Sequence, residues 1–460
     1  MTHVCRSWRN VLLSTPSFWT QIDFSRSTNP QQAEEFLRRS GNLLLDIYQS
    51  LKEEDDVEPF LSTTLHNLSR LQRLDIASCF PRLGCLLGCF SVPVPTLKHL
   101  DIRSNPFSIE RDVRFPSTAF GGRLPKLTSL TLHFLRTDLR DFNLPSLTRF
   151  NFMTRTNTSV RNLTSFFEQC PLLEFIQIRF EHTPQLPTPP PLRRIRLGSL
   201  KELRLDRAAC ISGLLDHLIL PSCTNMMLKG LFTGETFDRH GSPAAQIHPS
   251  SIEHLSVTRG ITKAVAMPNS CIFSGPNGNL RFWCTEETRK NLDAVFFTSF
   301  SPIPVLGIRE LWVGPGTTTY FGTPLPPWKQ TTASVQGIFG VLTKVEDLTV
   351  VGCNMKPFSA ALGATVARAS ANDGILLPTL QRLTIYVEFG DLDVPALIQC
   401  AKARKGHSRP LGEVTIVCKE AVTTDLIRKV ESLREFVVEV NHRVGVAPML
   451  IWRGVDCDDW

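Results

Sequence analysis

Cys79, Cys85 and Cys89 are the closest-spaced cysteines, and thiols at short spacing can bind a metal or undergo redox chemistry. A zinc site needs a Cys-x-x-Cys pair with further Cys or His ligands at short spacing. Neither is present, so small apolar packing in a helix is the expected role of these cysteines. Gly314-Pro315-Gly316 follows a predicted strand but lacks the Lys-Ser/Thr continuation of a phosphate loop. The chain has no Gly-x-Ser-x-Gly elbow and no His-Glu-x-x-His helix. Its 11 histidines are dispersed, with His99, His133 and His254 at strand positions that should face solvent. The expected chemistry is therefore recognition rather than catalysis: not an enzyme, with no metal and no cofactor.

Recognition needs a scaffold, and the scaffold is written as a repeat. One pattern recurs: an apolar residue, two mostly polar ones, an apolar, one other, an apolar. It runs Leu71-Leu74-Ile76, Leu97-Leu100-Ile102, Leu127-Leu130-Leu132, Leu147-Phe150-Phe152, Leu173-Ile176-Ile178 and Leu200-Leu203-Leu205. Weaker copies fall at Cys223–Leu228 and Ile252–Val257, and clearer ones begin at Ile308, Val345, Leu380, Leu411 and Leu433. This is the strand signature of leucine-rich repeats. Alternate residues point into a core, and the leading leucine fills the layer beneath. Most neighbouring copies start 20 to 37 residues apart, looser than the usual repeat of roughly 20–29. Residues 258–307 read as a long excursion able to hold one unrecognised copy. Amphipathic helices are expected between copies: Gln31–Arg39, one carrying Val160, Leu163, Phe166 and Phe167, one carrying Leu397, Ile398 and Ala401, and one carrying Leu426, Ile427 and Val430. The last-but-one should end in the cations Lys402, Arg404 and Lys405, which suit a helix C-terminus. The expected fold is an α/β leucine-rich-repeat solenoid, with parallel strands on one face and helices and irregular loops on the other. It spans 25–440, between a short helical N-terminal unit, 1–24, and a C-terminal tail, 441–460.

On such a scaffold the residues alternating with the core positions line an exposed, concave face. In the earlier copies that face should carry Arg73, Arg103, Arg149, Arg179, Arg204 and Lys229 against Asp75, Asp101, Glu202 and Asp206. In the later ones it should carry Glu310, Asp347, Glu413, Glu435 and Glu439 against Arg382, with Trp312 and Tyr386 as aromatic anchors. A mildly basic N-terminal end and an acidic C-terminal end would steer a protein of opposite polarity rather than a nucleic acid. The net charge of +7 is mild for 460 residues and asks for no polyanion partner.

The N-terminal stretch has another character. Val4, Cys5, Trp8, Val11 and Leu12 fall on one face of a helix. Pro16 disfavours helical geometry at Thr15 and opens a new turn bearing Phe18 and Trp19. So small a unit cannot bury two tryptophans alone. Val4-Cys5-Arg6-Ser7-Trp8, followed by Ser14-Thr15-Pro16-Ser17-Phe18-Trp19, resembles the second half of an F-box, whose Leu-Pro helix would lie upstream of Met1-Thr2-His3. Leu37-Arg38-Arg39-Ser40-Gly41-Asn42-Leu43 and Cys170-Pro171-Leu172-Leu173-Glu174 are similar to segments of the F-box/leucine-rich-repeat proteins expanded in mushroom-forming fungi.

This resemblance implies a substrate-recruiting subunit of a cullin-type ubiquitin ligase. Val4, Cys5, Trp8, Val11, Leu12, Pro16 and Trp19 would hold the Skp adaptor, and the repeats would hold a protein target. The alternative is a repeat scaffold that no longer docks on the adaptor, with the N-terminal helix capping the first repeats. No apolar run is long enough to span a bilayer, and no basic segment leads an apolar core as in a secretory signal. Thirteen cysteines, odd in number and scattered, fit reduced thiols. The expected compartment is cytosol or nucleus, with no membrane partner.

Overall fold

The computed structural model describes residues 5–24, 30–51, 57–78, 83–104, 113–116, 118–154, 158–180, 194–206, 211–229, 254–267, 270–283, 307–314, 332–351, 355–363, 365–366, 374–387, 392–418 and 424–445. Val4, Cys79 and the tail beyond 445 lie outside them. The protein is a mixed α/β fold built on large, mostly parallel sheets. It divides into two compact units, Met1–Leu231 with His254–Ser256, and Phe232–Glu253 with Val257–Trp460. Among the described residues no helix is long and apolar enough to cross a membrane.

Among the described residues the main sheet of the first unit has nine parallel strands in chain order: β1 (Gln21–Asp23), β2 (Leu45–Leu51), β3 (Leu71–Ser78), β4 (His99–Ser104), β5 (Ser129–His133), β6 (Arg149–Thr154), β7 (Phe175–Phe180), β8 (Glu202–Asp206) and β9 (Asn225–Lys229). The register is that of the sequence repeat: Leu74, Leu100, Leu130, Phe150, Ile176, Leu203 and Met226 lie side by side and are buried. A main-chain ladder just ahead of the strands locks it. The amides of Lys98, Thr128, Thr148, Glu174, Lys201 and Thr224 each bond to the carbonyl of the residue one copy earlier, at 2.8–3.0 Å. Thr96, Thr128 and Thr148 add hydroxyl bonds to the preceding copy.

α1 (Arg6–Ser14) precedes β1, and between strands lie α2 (Pro30–Ser40), α3 (Glu58–His66), α4 (Leu83–Cys89) and α5 (Val160–Glu168). Here the apolar spacing does what the sequence predicts. Ser159 caps α5 by accepting from the Asn162 amide, and Val160, Leu163, Phe166 and Phe167 are buried. Beneath the first strands a column of rings runs one per copy, Phe24–Phe60 at 5.7 Å, Phe60–Phe90 at 6.3 Å and Phe90–Phe120 at 5.5 Å. Phe120 and Gly121 sit at positive φ, and a Cβ at Gly121 would lie 2.7 Å from the Pro93 ring, so only glycine fits there.

Among its described residues the second unit has three antiparallel strands and then continues in parallel: β10 (Lys263–Met267), β11 (Ser270–Gly275), β12 (Gly278–Trp283), β13 (Glu310–Val313), β14 (Asp347–Val351), β15 (Arg382–Val387), β16 (Glu413–Cys418) and β17 (Glu439–Val444). Its helices include α6 (Thr332–Val341), α7 (Met355–Gly363), α8 (Val394–Gly406) and α9 (Thr424–Glu431).

Two expected copies are displaced. The end of the expected copy at Ile252–Val257 falls in a short 3-10 turn, Ser256–Thr258, and the strand comes at Lys263, with Lys263 opposite Glu310 and Ala264 opposite Leu311. The working copy, Ile261-Thr262-Lys263-Ala264-Val265-Ala266, is the unrecognised repeat of the excursion. Its alanines carry too little apolar surface to signal a core. At the other end Ser432–Glu435 is a 3-10 turn, and the strand starts four residues late at Glu439, opposite Glu413. Leu433 is buried, but as the foot of that turn, and Val438 is 81% exposed.

Arg404 does more than the sequence indicates. Asp393 caps α8 by accepting from the Ala396 amide, and Arg404 does stand in the last turn. Its side chain, however, is fully buried and donates to the carbonyls of Leu376 and Leu377, both at 2.9 Å. Leu377 is at φ +50°, costly for a branched residue, so the cation stitches α8 to a strained turn of the copy before it. Replacing Arg404 with Met should cost about 3 kcal/mol by leaving buried carbonyls unpaired. Phe90→Ala should cost about 3–5 kcal/mol through the cavity it opens in the ring column. Urea unfolding measures both against Val438→Ala, expected within about 0.5 kcal/mol of the parent.

Candidate functional site

Two surfaces carry side chains that the fold itself does not use up. The first is the N-terminal element. The Trp8 amide donates to the Cys5 Sγ at 3.4 Å, which starts α1, and the Thr15 hydroxyl donates to the Val11 carbonyl at 2.7 Å, which ends it. Trp19 then turns back: its Nε1 donates to the Leu12 carbonyl at 2.8 Å. Its ring meets Phe36 edge-on at 5.1 Å, and the Arg39 guanidinium stands 4.4 Å above it. Glu35 holds Arg39 and Arg38, and those hydrogen bonds pull the Glu35 carboxyl down to about 2.

Ile22 is buried, and β1 pairs with Asp46–Tyr48 of β2, so this element covers the edge of the sheet. α1 itself buries none of its side chains. Trp8 is 60% exposed and Val11 46%, with Leu12 half-buried and Pro16 exposed. Phe18, 57% exposed, joins them. Of the two tryptophans expected to share a role, Trp19 is tied to the body of the unit and Trp8 is free of it.

The second surface is the open face of each sheet. In the first unit the registers set three rows across the strands. One holds Asp46, Arg73, His99, Ser129, Arg149, Phe175, Glu202 and Asn225. The next holds Asp23, Tyr48, Asp75, Asp101, Thr131, Asn151, Gln177, Arg204 and Met227. The third holds Ser50, Ala77, Arg103, His133, Met153, Arg179, Asp206 and Lys229. Arg73, Arg103, Arg149, Arg179 and Arg204 therefore share one face as expected, but its polarity does not follow the expectation. β1–β4 carry the four carboxylates of Asp23, Asp46, Asp75 and Asp101 against two arginines, while β6–β9 carry Arg149, Arg179, Arg204 and Lys229 against Glu202 and Asp206. The N-terminal end is acidic. The sequence count missed this because β1 and β2 do not announce themselves as copies.

Most of these charges are matched at once by a neighbour. Arg73 pairs with Asp75 and Arg103 with Asp101, each two residues along its own strand, and Arg204 pairs with Glu202 in the same way. Arg204 is only 7% exposed and lies 5.3 Å from the Phe175 ring, which Arg149 approaches to 4.6 Å. Asp206, 1% exposed, sits between Arg179 at 3.4 Å and Lys229 at 3.8 Å. Arg204 is thus a packed part of the sheet rather than an accessible charge. Burial raises the Asp46 and Asp75 carboxyls, and for Asp75 the facing Asp101 adds to the rise. Between Tyr48, Asp75, Ala77, Asp101 and Arg103 the face opens into a hollow of about 170 Å³.

In the second unit Lys263, Glu310, Asp347, Arg382, Glu413 and Glu439 share one row, and Val265, Trp312, Thr349, Thr384, Thr415 and Asn441 the next. Lys263, absent from the sequence count because its strand was misplaced, pairs with Glu310 at 2.6 Å. Trp312 Nε1 donates to the same carboxylate at 2.7 Å. Burial alone would raise the Glu310 carboxyl, but these two hydrogen bonds outweigh it and hold it below the usual range. Arg382 pairs with Asp347. Tyr386 is half-buried in the third row, between Val351 and Val417.

Glu435 is not on this face: it lies on the turn before β17, where its carbonyl accepts from Lys405. That leaves Glu413 and Glu439, side by side and bridged by the Asn441 amide at 3.2 and 3.0 Å, with no ion pair among the described residues. They are the acidic end that remains of the expected one.

The described residues contain no group of three or more His, Cys, Asp or Glu able to hold a metal. Burial pushes the Cys170 and Cys223 thiols up to about 12 and Cys400 up to about 11, so these sulfurs stay protonated. His254, expected on a strand, lies in a turn and bonds to the Leu218 carbonyl at 2.8 Å. The chain matches no family model and no curated protein.

His133 gives the face a pH dependence. Burial lowers its pKa, and burial likewise lowers that of His99; Asp101, Asn151, Arg103 and Arg179 surround His133. A histidine lowered in the folded state protonates first in the unfolded chain. Its stabilisation is therefore complete above the ordinary histidine pKa and is lost as pH falls. The urea midpoint should drop between pH 7 and pH ~5.5, and His133→Asn should reduce that drop.

Proposed function

We propose that this protein is a substrate-recruiting subunit of the F-box/leucine-rich-repeat type. On this reading its two sheets belong to an α/β leucine-rich-repeat solenoid, the open face binds a protein target, and α1 docks on the Skp adaptor of a cullin-type ubiquitin ligase. The observation that carries it is the contrast within the N-terminal element. Trp19 fastens the element to α2 and Ile22 fastens it to β2, whereas α1 presents Trp8 and Val11 to solvent without burying a side chain. A helix tethered at its C-terminal end with its apolar residues outward is suited to be covered by another protein. The protein's own part is positioning rather than bond chemistry.

A second reading has an observation of its own. β1 and Trp19 already give the element a purpose, as cover for the first strand, so a repeat scaffold that binds targets without the ligase also fits. Co-purification with the Skp adaptor separates the two. Under the first reading the parent chain retains the adaptor, and Trp8→Ala with Val11→Glu weakens retention at least ~10-fold, as expected for the loss of central apolar contacts. The unfolding midpoint should not move, since neither side chain is buried. An adaptor that the parent chain never retains leaves the scaffold.

A further inference from the structure

We propose that the hollow on the first unit's open face receives a cationic side chain, lysine or arginine, from the protein partner. The inference deepens the reading of this face as a protein-binding surface and rests on it. The hollow exists because the third row begins with two short side chains. Ser50 and Ala77 stand where the following strands place Arg103, His133 and Met153. The resulting space, about 170 Å³, is several times the ~30 Å³ share of one water. It is large enough for the end of a long side chain.

The walls select the occupant. Asp75 and Asp101 lie directly opposite each other on adjacent strands, a placement that costs stability for like charges unless a cation lies between or beside them. Arg73 and Arg103 each engage one of them, but a carboxylate offers roughly four acceptor positions, and its own arginine takes two at most. Asp46, in the adjoining row, has no ion pair among the described residues. The local balance of four carboxylates against two arginines disfavours an anion. An apolar group would strip water from the carboxylates without replacing its hydrogen bonds. The carboxylates are spread along a row and already forked by arginine, so they do not converge on a bare metal ion. A lysine or arginine satisfies both parts of the site: its alkyl stem lies along Ala77 and the Tyr48 ring, and its head reaches the free acceptor positions.

The test uses the full chain and a fluorescein-labelled tetralysine peptide, with its fully acetylated form as the neutral counterpart, followed by anisotropy at low salt. Tetralysine should bind and the acetylated peptide should not. Ser50→Arg, an exposed position on the rim, fills the space with a competing cation and should weaken binding at least ~10-fold. The pair Asp75→Asn with Asp101→Asn should do the same. Glu168→Lys, an exposed change of equal net charge on α5, should leave binding within about twofold. Equal binding by parent and Ser50→Arg, equal weakening by Glu168→Lys, binding of the acetylated peptide or no binding of tetralysine would each overturn the proposal. The adaptor reading is scored separately: Ser50→Arg leaves α1 untouched, so retention of the Skp adaptor neither follows nor fails with the peptide result.

Discussion

Everything in this protein depends on a hydrogen-bond line that runs across the strands, just ahead of them. Each amide from Lys98 to Thr224 reaches back one copy, and the same arrangement joins Arg309, Glu346, Gln381 and Gly412 in the second unit. Once that line is fixed, period-two geometry leaves no freedom about which side chains face the core. Leu74 and its counterparts go inward, and Arg73, Asp75 and theirs go outward. The phenylalanine column beneath the first strands and the buried Arg404 in the second unit tie neighbouring copies together away from the strands. The three devices act between adjacent copies, so the fold is held by local agreements rather than by distant ones.

The strands were legible because leucine and isoleucine recur at a spacing that only a half-buried strand explains. They ceased to be legible where burial was achieved with less apolar surface. Ala264 and Ala266 fill a core position without marking it. Leu433 marks a position that the chain uses for a turn, while Val437 and Val440 do the work of the strand core. Composition could place arginines and acids on a face, but it could not rank them. Arg73 and Arg204 both alternate with core positions of their strands, yet one is half-exposed and the other is packed against Phe175 and Glu202. The helix bearing Trp8 was readable from its spacing. That Trp8 and Trp19 part company was not, since it depends on Phe36 and Arg39 from α2.

The open faces combine a strong local charge density with a weak distant field. Pairs such as Arg73–Asp75 and Arg103–Asp101 cancel within a strand, and at physiological salt little survives beyond ~8 Å. Such a face acts on its surroundings through individual hydrogen bonds at short range rather than through a long-range field. Among the described residues Asp46 on the first unit's face, and Glu413 with Glu439 on the second's, stand without an ion pair.

The shortness of β1 has a further consequence. Parallel sheets end in edges, and an unpaired edge is a template on which another chain can continue the sheet. Here the first full strand, β2, is met by only three residues, Gln21 to Asp23, before the chain leaves the sheet. So brief a border cannot extend the pairing across a full strand length, and α1, with the 3-10 turn of Pro16–Trp19, precedes it at once. The N-terminal element thus limits edge-to-edge pairing as well as covering a hydrophobic end.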